Sequence, residues 1–214
     1  MKERDRNKKY IRANEGVRNS NLIFIFCEGV KTERRYFYFF NQISSRIILQ
    51  IMPHFEGRQS PKGLYDAAVK FLVEPGLSPE YSFLSGDEVW FVFDTDHYSQ
   101  MIEEVRPLIK ERPNWNIAQS NPSFEVWLYY HFFENKPTES IKNWKNYLNH
   151  IIPGGFDNRF HPKLINKAIN NSKNNFSRNG ETPDLNSTEV YLLGEKIISI
   201  VNNDISQFNS NNRS

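Results

Sequence analysis

Two short apolar runs in this 214-residue chain end in acids. Leu22–Cys27 runs into Glu28 and Gly29, and Glu88–Phe93 runs into Asp94, Thr95 and Asp96. Read as parallel strands, both open their carboxyl ends on one sheet edge, where open α/β sheets hold ligands. With a strand period of two, Asp94 and Asp96 project to the same side while Thr95 points away. Two hard oxygen donors at that spacing suit Mg²⁺ or Mn²⁺. Gly29 removes a side chain just after Glu28 and leaves room for a phosphate or a substrate backbone. A third turn, Ser120–Trp127, should open on the same edge and bring Glu125 as a fourth carboxylate, and four converging acids call for a metal. Taken singly, an Asp-x-Asp after a strand is an acidic turn, and Asn121-Pro122 with Glu125 in the first turn is ordinary helix capping. Their convergence on one edge is what raises a site above these readings.

Basic residues follow the first acid. Lys31, Arg34 and Arg35 sit at the approach to a helix N-terminus, a natural phosphate-binding element, although charges on a solvated helix face look the same. Cys27 lies inside an apolar run and reads as a small buried hydrophobe, not a nucleophile. The five histidines, His54, His97, His131, His150 and His161, show no metal-ligand spacing.

The elements that must position these residues alternate between short apolar runs and longer amphipathic ones, the pattern of βαβ units and hence of a parallel sheet. Strands are expected at Leu22–Cys27, Ile47–Phe55, Glu88–Phe93 and Trp115–Ala118. Helices are expected at Thr32–Ser44, at Gly63–Val73, after a cap at Ser99, and from Asn121 and Pro122 to about Phe133. Beyond this α/β core, set at residues 21–135, the stretches Trp144–Leu148, Leu164–Ile169 and Val190–Val201 read as a helical portion, residues 136–202, packed on the core. Residues 203–214 read as a flexible tail. Residues 1–20 carry Lys2, Arg4, Arg6, Lys8, Lys9, Arg12 and Arg18 with few apolar neighbours and read as a flexible basic arm.

Composition narrows the class. Hydrophobic residues at 38% and aromatics at 14% are enough for a core and exclude wholesale disorder. A net charge of +2 is too small to advertise nucleic-acid binding, so any basic surface must be local. A single cysteine excludes a disulfide framework and a thiolate zinc cluster. With no run of membrane-spanning length and no greasy leader, the expectation is a cytoplasmic protein without a membrane partner.

Three blocks together, Phe26–Glu33, Trp90–Asp96 and Ser120–Leu128, with a weaker match at Leu185–Val190, resemble the RloB-like family, a compact branch of the Toprim fold associated with bacterial abortive infection and anti-phage defence. The resemblance spans roughly Leu22 to Val201. It implies a Rossmann-like Toprim sheet flanked by helices, with Glu28 as the acid after the first strand and Asp94 and Asp96 as ligands of the divalent metal. Toprim enzymes include topoisomerases, primases and OLD-family nucleases, so phosphodiester chemistry is the shared theme. Family members are often encoded beside an AAA or ABC-type ATPase, which implies such a partner. The downstream basic residue of OLD-like enzymes has candidates in Arg159, Lys163 and Lys173.

The resulting expectation is a Mg²⁺- or Mn²⁺-dependent nuclease acting on DNA or RNA in phage defence. Asp94 and Asp96 hold the metal at the scissile phosphate, and Glu28 ligates it or acts as general base. Glu125 holds a second metal or orients a water, and Lys31 stabilises charge on the phosphate. Lys31, Arg34, Arg35, Ser120, Asn121 and Lys163 are the expected nucleic-acid contacts. Two rivals stand beside this. One is a binding or regulatory subunit of an ATPase-containing complex, with little activity alone. The other is a transferase holding a nucleotide diphosphate through Asp94-Thr95-Asp96, which leaves Glu28 without a role.

Overall fold

The structure is a computed structural model, and it describes residues 21–29, 31–43, 48–51, 60–73 and 83–211. The arm expected at residues 1–20 lies outside the described residues, as does the second expected strand beyond Ile51. In chain order the elements are β1 (Leu22–Cys27), α1 (Thr32–Ile43), β2 (Ile48–Ile51), α2 (Pro61–Leu72), β3 (Glu88–Asp94), α3 (Thr95–Lys110) and β4 (Trp115–Asn121). There follow α4 (Glu125–Tyr129), α5 (Trp144–Ile151), a 3-10 turn (His161–Leu164), α6 (Ile165–Asn174), β5 (Arg178–Asn179), β6 (Thr182–Pro183), β7 (Ser187–Thr188) and α7 (Val190–Asn211).

The main sheet runs β2-β1-β3-β4-β7, with β2, β1, β3 and β4 parallel. Five consecutive residues of β1 and five of β3 are buried, because helices cover both faces. Strand alternation divides them. Phe24, Phe26, Phe91 and Phe93 pack with Leu64 and Ala68 of α2 and Ile102 and Val105 of α3. Ile23, Ile25, Trp90 and Val92 pack on the other side with Phe37 and Phe40 of α1, Trp127 of α4, Ile165 of α6 and Leu193 and Ile197 of α7. Each fully buried large side chain contributes about 1.5–3 kcal/mol. The second cluster runs from Ile23 to Val201, so the C-terminal helices share a core with the first strands.

The order 2-1-3-4 makes the boundary between β1 and β3 the point where the chain reverses direction across the sheet, and there adjacent connections leave on opposite faces. In register Cys27 faces Val92 and Asp94 faces Ser120, so Glu28, one residue past β1, stands beside the end of β3.

The mostly parallel, helix-flanked sheet is the expected one, with one addition: β7 pairs antiparallel with the end of β4, Ser120 opposite Thr188 and Asn121 opposite Ser187. A two-residue strand carries no readable alternation. Three other expectations change. Asn121 and Pro122 do not start a helix; β4 runs through Asn121, and α4 begins at Glu125 and ends at Tyr129. Helix α3 begins at Thr95, directly off the strand, although Tyr98 breaks it with φ −133° and ψ 20°, so regular helix resumes at the expected Ser99. Finally, α7 continues to Asn211, past the expected start of the tail.

Candidate functional site

Glu28 leaves β1 with its N–H on the Val92 carbonyl, 3.3 Å away, and its Oε2 accepts from the Asp94 N–H at 3.3 Å. The strand ends thus pin the first acid to the backbone of the second. Asp94 Oδ1 accepts from the Phe124 N–H at 2.9 Å, which ties the end of β3 to the turn before α4. Glu125, in the first turn of α4, accepts from the Ser123 hydroxyl at 2.7 Å. The Pro122 carbonyl accepts from the N–H groups of Thr95 and Asp96, at 2.9 and 3.1 Å, so the third turn also holds the second. The three turns expected to share an edge do share it.

Asp96 reaches the edge by a different route from the one expected. It sits in the first turn of α3, so strand alternation does not place it beside Asp94; the helix start does. Its charge nonetheless acts on both Glu28 and Asp94.

A fifth acid escaped the sequence reading. Glu33, in the first turn of α1, is 6% exposed. A Cβ on Gly29 would fall inside the Glu33 carboxylate. The space left by the glycine is therefore filled by a carboxylate of the protein itself, not kept for a phosphate. The available signal was the pairing of Glu33 with Gly29 across one turn. It was masked because a Glu at a helix start has an ordinary explanation in the helix dipole.

The electrostatics follow from crowding. Burial and then the Asp96 and Glu33 charges raise Glu28 to about 7, against a lowering by its hydrogen bond from Asp94. Burial, with the Glu125 charge, also raises Glu33 to about 7, despite a hydrogen bond from its own backbone. Asp94 is pushed well above the usual carboxylate range by burial, then by Glu33, Glu28, Glu125 and Asp96. Every charge acting on Asp94 is that of another acid. Burial likewise pushes the Cys27 thiol up, with Glu33 adding to it and Arg34 opposing, so Cys27 is no thiolate nucleophile.

Behind the acids runs a directed chain of hydrogen bonds that sequence reading also missed. Arg106 of α3, 5% exposed, donates to Gln119 Oε1, and Gln119 Nε2 donates to Thr95 Oγ1 at 2.9 Å. Thr95 in turn donates to the Ser120 carbonyl at 2.7 Å. The head of the chain is held by Glu181 of the β5–β6 hairpin, 3.3 Å from Arg106 Nε. Glu189, just before α7, clamps β4: its carboxylate accepts from the Gln119 N–H at 3.2 Å and its N–H donates to the Gln119 carbonyl at 2.8 Å. This explains the weaker sequence block at Leu185–Val190 as a structural clamp.

Of the expected nucleic-acid contacts, Lys31 and Arg35 are exposed at the start of α1, Arg34 is half-buried, and Lys163 is exposed on the 3-10 turn. Ser120 and Asn121 do not fit that role. Ser120 is fully buried, its hydroxyl 2.7 Å from that of Thr188, and Asn121 spends its amide on the Pro183 carbonyl at 2.7 Å. Ser120 closes the β4–β7 seam, and the Asn121 amide ties β4 to β6 of the hairpin. The side chain of His97 is outside the described residues.

A divalent cation suits this donor set in chemistry. All five side chains are hard oxygen donors, and two or more of them are held partly protonated near neutrality by burial and by one another's charge. In position the set is open: among the described residues, no three His, Cys, Asp or Glu side chains are grouped as a ready metal shell. Carboxylates that repel one another would have to be drawn in by the ion.

Fold and site together define an α/β protein with a Rossmann-like, mostly parallel sheet whose switch-point edge is lined by carboxylates. The RloB-like protein family matches residues 23–197, most of the chain, and the chain belongs to the RloB-like family. No curated protein and no solved structure matches it. Among the described residues no helix is long and apolar enough to cross a membrane.

Proposed function

We propose that the protein is a divalent-metal-dependent nuclease of the Toprim type that hydrolyses phosphodiester bonds in DNA or RNA, in bacterial anti-phage defence. The observation that carries this is the gathering of Glu28, Glu33, Asp94, Asp96 and Glu125 at the switch point of the sheet, where every charge acting on Asp94 is another acid. Carboxylates gathered in such surplus are the arrangement that a Mg²⁺ or Mn²⁺ site requires.

In this reading Asp94 and Glu28 hold the ion, with Asp96 and Glu125 completing its surroundings from the two helix starts. The bound ion supplies charge stabilisation at the scissile phosphate. Glu33, raised to about 7, can take a proton from the attacking water near neutral pH, as a general base is best matched to its working pH. Lys31, exposed at the approach to α1, offers charge to a phosphate arriving over the edge. Purified chain should cut single-stranded or duplex nucleic acid with Mg²⁺ or Mn²⁺ and stop with EDTA. Asp94→Asn should abolish cutting while keeping the acceptor for the Phe124 N–H. Cutting at parental rate in Asp94→Asn, with EDTA without effect, would sink the reading.

The openness of the acid set favours one alternative, a Toprim subunit whose site closes only against an ATPase-type partner. The same assay distinguishes it: no cutting by the chain alone, and metal-dependent cutting once the partner is added.

A further inference from the structure

Residues 136–178 hold six Lys and two Arg against one Glu and one Asp, in a chain whose net charge is only +2. Seven of those eight cations are exposed, and although the rest of the helical portion brings Glu181, Asp184, Glu189 and Glu195, Arg159, Lys163 and Lys167 make a local basic face. Within that face Phe160 is 51% exposed, the most exposed aromatic side chain among the described residues. Its outward position is structural. His161 turns inward onto Phe132 and Phe156, with ring centroids 4.8 and 5.2 Å away, and leaves its neighbour outside. The Arg159 guanidinium lies 5.4 Å from the Phe160 ring centroid and is paired with Asp157 at 2.7 Å. Lys163 and Lys167 follow one helical turn apart, and Lys167 Nζ rests on the Phe132 carbonyl at 3.3 Å. Rings of the buried core lie between this face and the acids. Phe156 lies 6.2 Å from Tyr36, Tyr36 is 5.6 Å from Phe124, and the Phe124 N–H holds Asp94.

We propose that Arg159, Phe160, Lys163 and Lys167 bind single-stranded nucleic acid, Phe160 stacking on one base and the three cations holding the flanking phosphates. This rests on the reading of the chain as acting on nucleic acid and narrows its substrate. Cations alone would accept any polyanion. An exposed aromatic set among them finds a free base face only where bases are unpaired, because in a duplex those faces are stacked on each other. Arg159 gives Asp157 its Nε and one terminal nitrogen, and a guanidinium has five N–H groups, so the others can meet a phosphate.

The test is fluorescence anisotropy of labelled oligo-U, oligo-dT and a duplex of equal length with the full chain in EDTA, so that no cutting occurs. Phe160→Ala, at an exposed position, should weaken single-strand binding at least about fivefold and leave duplex binding unchanged. Lys163→Glu with Lys167→Glu should weaken both and lower the single-strand salt slope by about 0.7 for each phosphate no longer held. Single-strand binding unchanged in Phe160→Ala, tighter binding of duplex by the parent, or no binding of any of the three would overturn the proposal. Binding through this face by a chain that never cuts would keep it and sink the nuclease reading; cutting by a chain whose binding ignores Phe160 would do the reverse.

Discussion

At the residue scale, the central fact is that negative charge has been packed against negative charge around Asp94. Asp94→Asn removes one charge and keeps the Phe124 N–H satisfied, so in EDTA at pH 8 it should raise Tm; about 1 kcal/mol of relief corresponds to about 2–4 °C for a chain of this size. A fall in Tm would instead make the carboxylate structural. The pH dependence has a defined sign. Glu28 and Glu33 have folded-state pKa values near 7, above their ordinary 4.5. Their contribution to stability is therefore whole below about 4.5 and is lost as pH rises through about 7, since the unfolded chain gives up those protons first. A cation that binds the ionised form should cancel this loss. The rise in Tm on adding Mn²⁺, measured against EDTA, should accordingly be small at pH 5 and grow by several degrees up to pH 8; a gain independent of pH would remove the acids from cation binding. The difference measurement also cancels His131, whose burial lowers it to about 3 and makes acid destabilising on its own account. Gly29 belongs to this scale as well. Its missing side chain could be read from the sequence, but the identity of what fills the space could not, because Glu33 reaches it by folding back over a turn.

At the scale of elements, the apolar runs of β1 and β3 were legible because covering both faces of a parallel strand leaves no polar positions to confuse the pattern. Amphipathic spacing placed α1 and α2 to within two residues, since each buries one stripe against the sheet. What escaped were elements made by tertiary pairing: two-residue β7, the β5–β6 hairpin, and the extension of β4 through Asn121, whose Asn-Pro looked like a helix cap. The site inherited such errors, for Asp96 stands on a helix start and not on the strand, and Ser120 and Asn121 are taken up by the extended β4. The chain from Arg106 through Gln119 to Thr95 is an element-scale device, joining α3, β4 and the hairpin behind the Asp94–Asp96 turn. Thr95→Val leaves the Gln119 amide and the Ser120 carbonyl without this side-chain partner, a cost of about 1–3 kcal/mol. Misplacing the turn should weaken Mn²⁺ binding about 10–100-fold, read by electron paramagnetic resonance, and Thr95→Ser should restore it. Parental affinity in Thr95→Val would show that the chain only fills space.

At the scale of the whole molecule, acids gather at the sheet edge, the exposed cations Arg159, Lys163 and Lys167 stand on the helical cover, and a buried aromatic core from Phe124 through Tyr36 to Phe156 lies between them. The near-zero net charge concealed this, since a sum over the chain erases the separation. The most direct test of the account is a crystal structure grown with Mn²⁺ and read by anomalous scattering. The account predicts a peak at the ends of β1 and β3, ligated by carboxylates of Glu28 and Asp94, with the other acids drawn toward it. Saturating Mn²⁺ with no peak there, or with Glu28 turned away from a cation bound elsewhere, would contradict it.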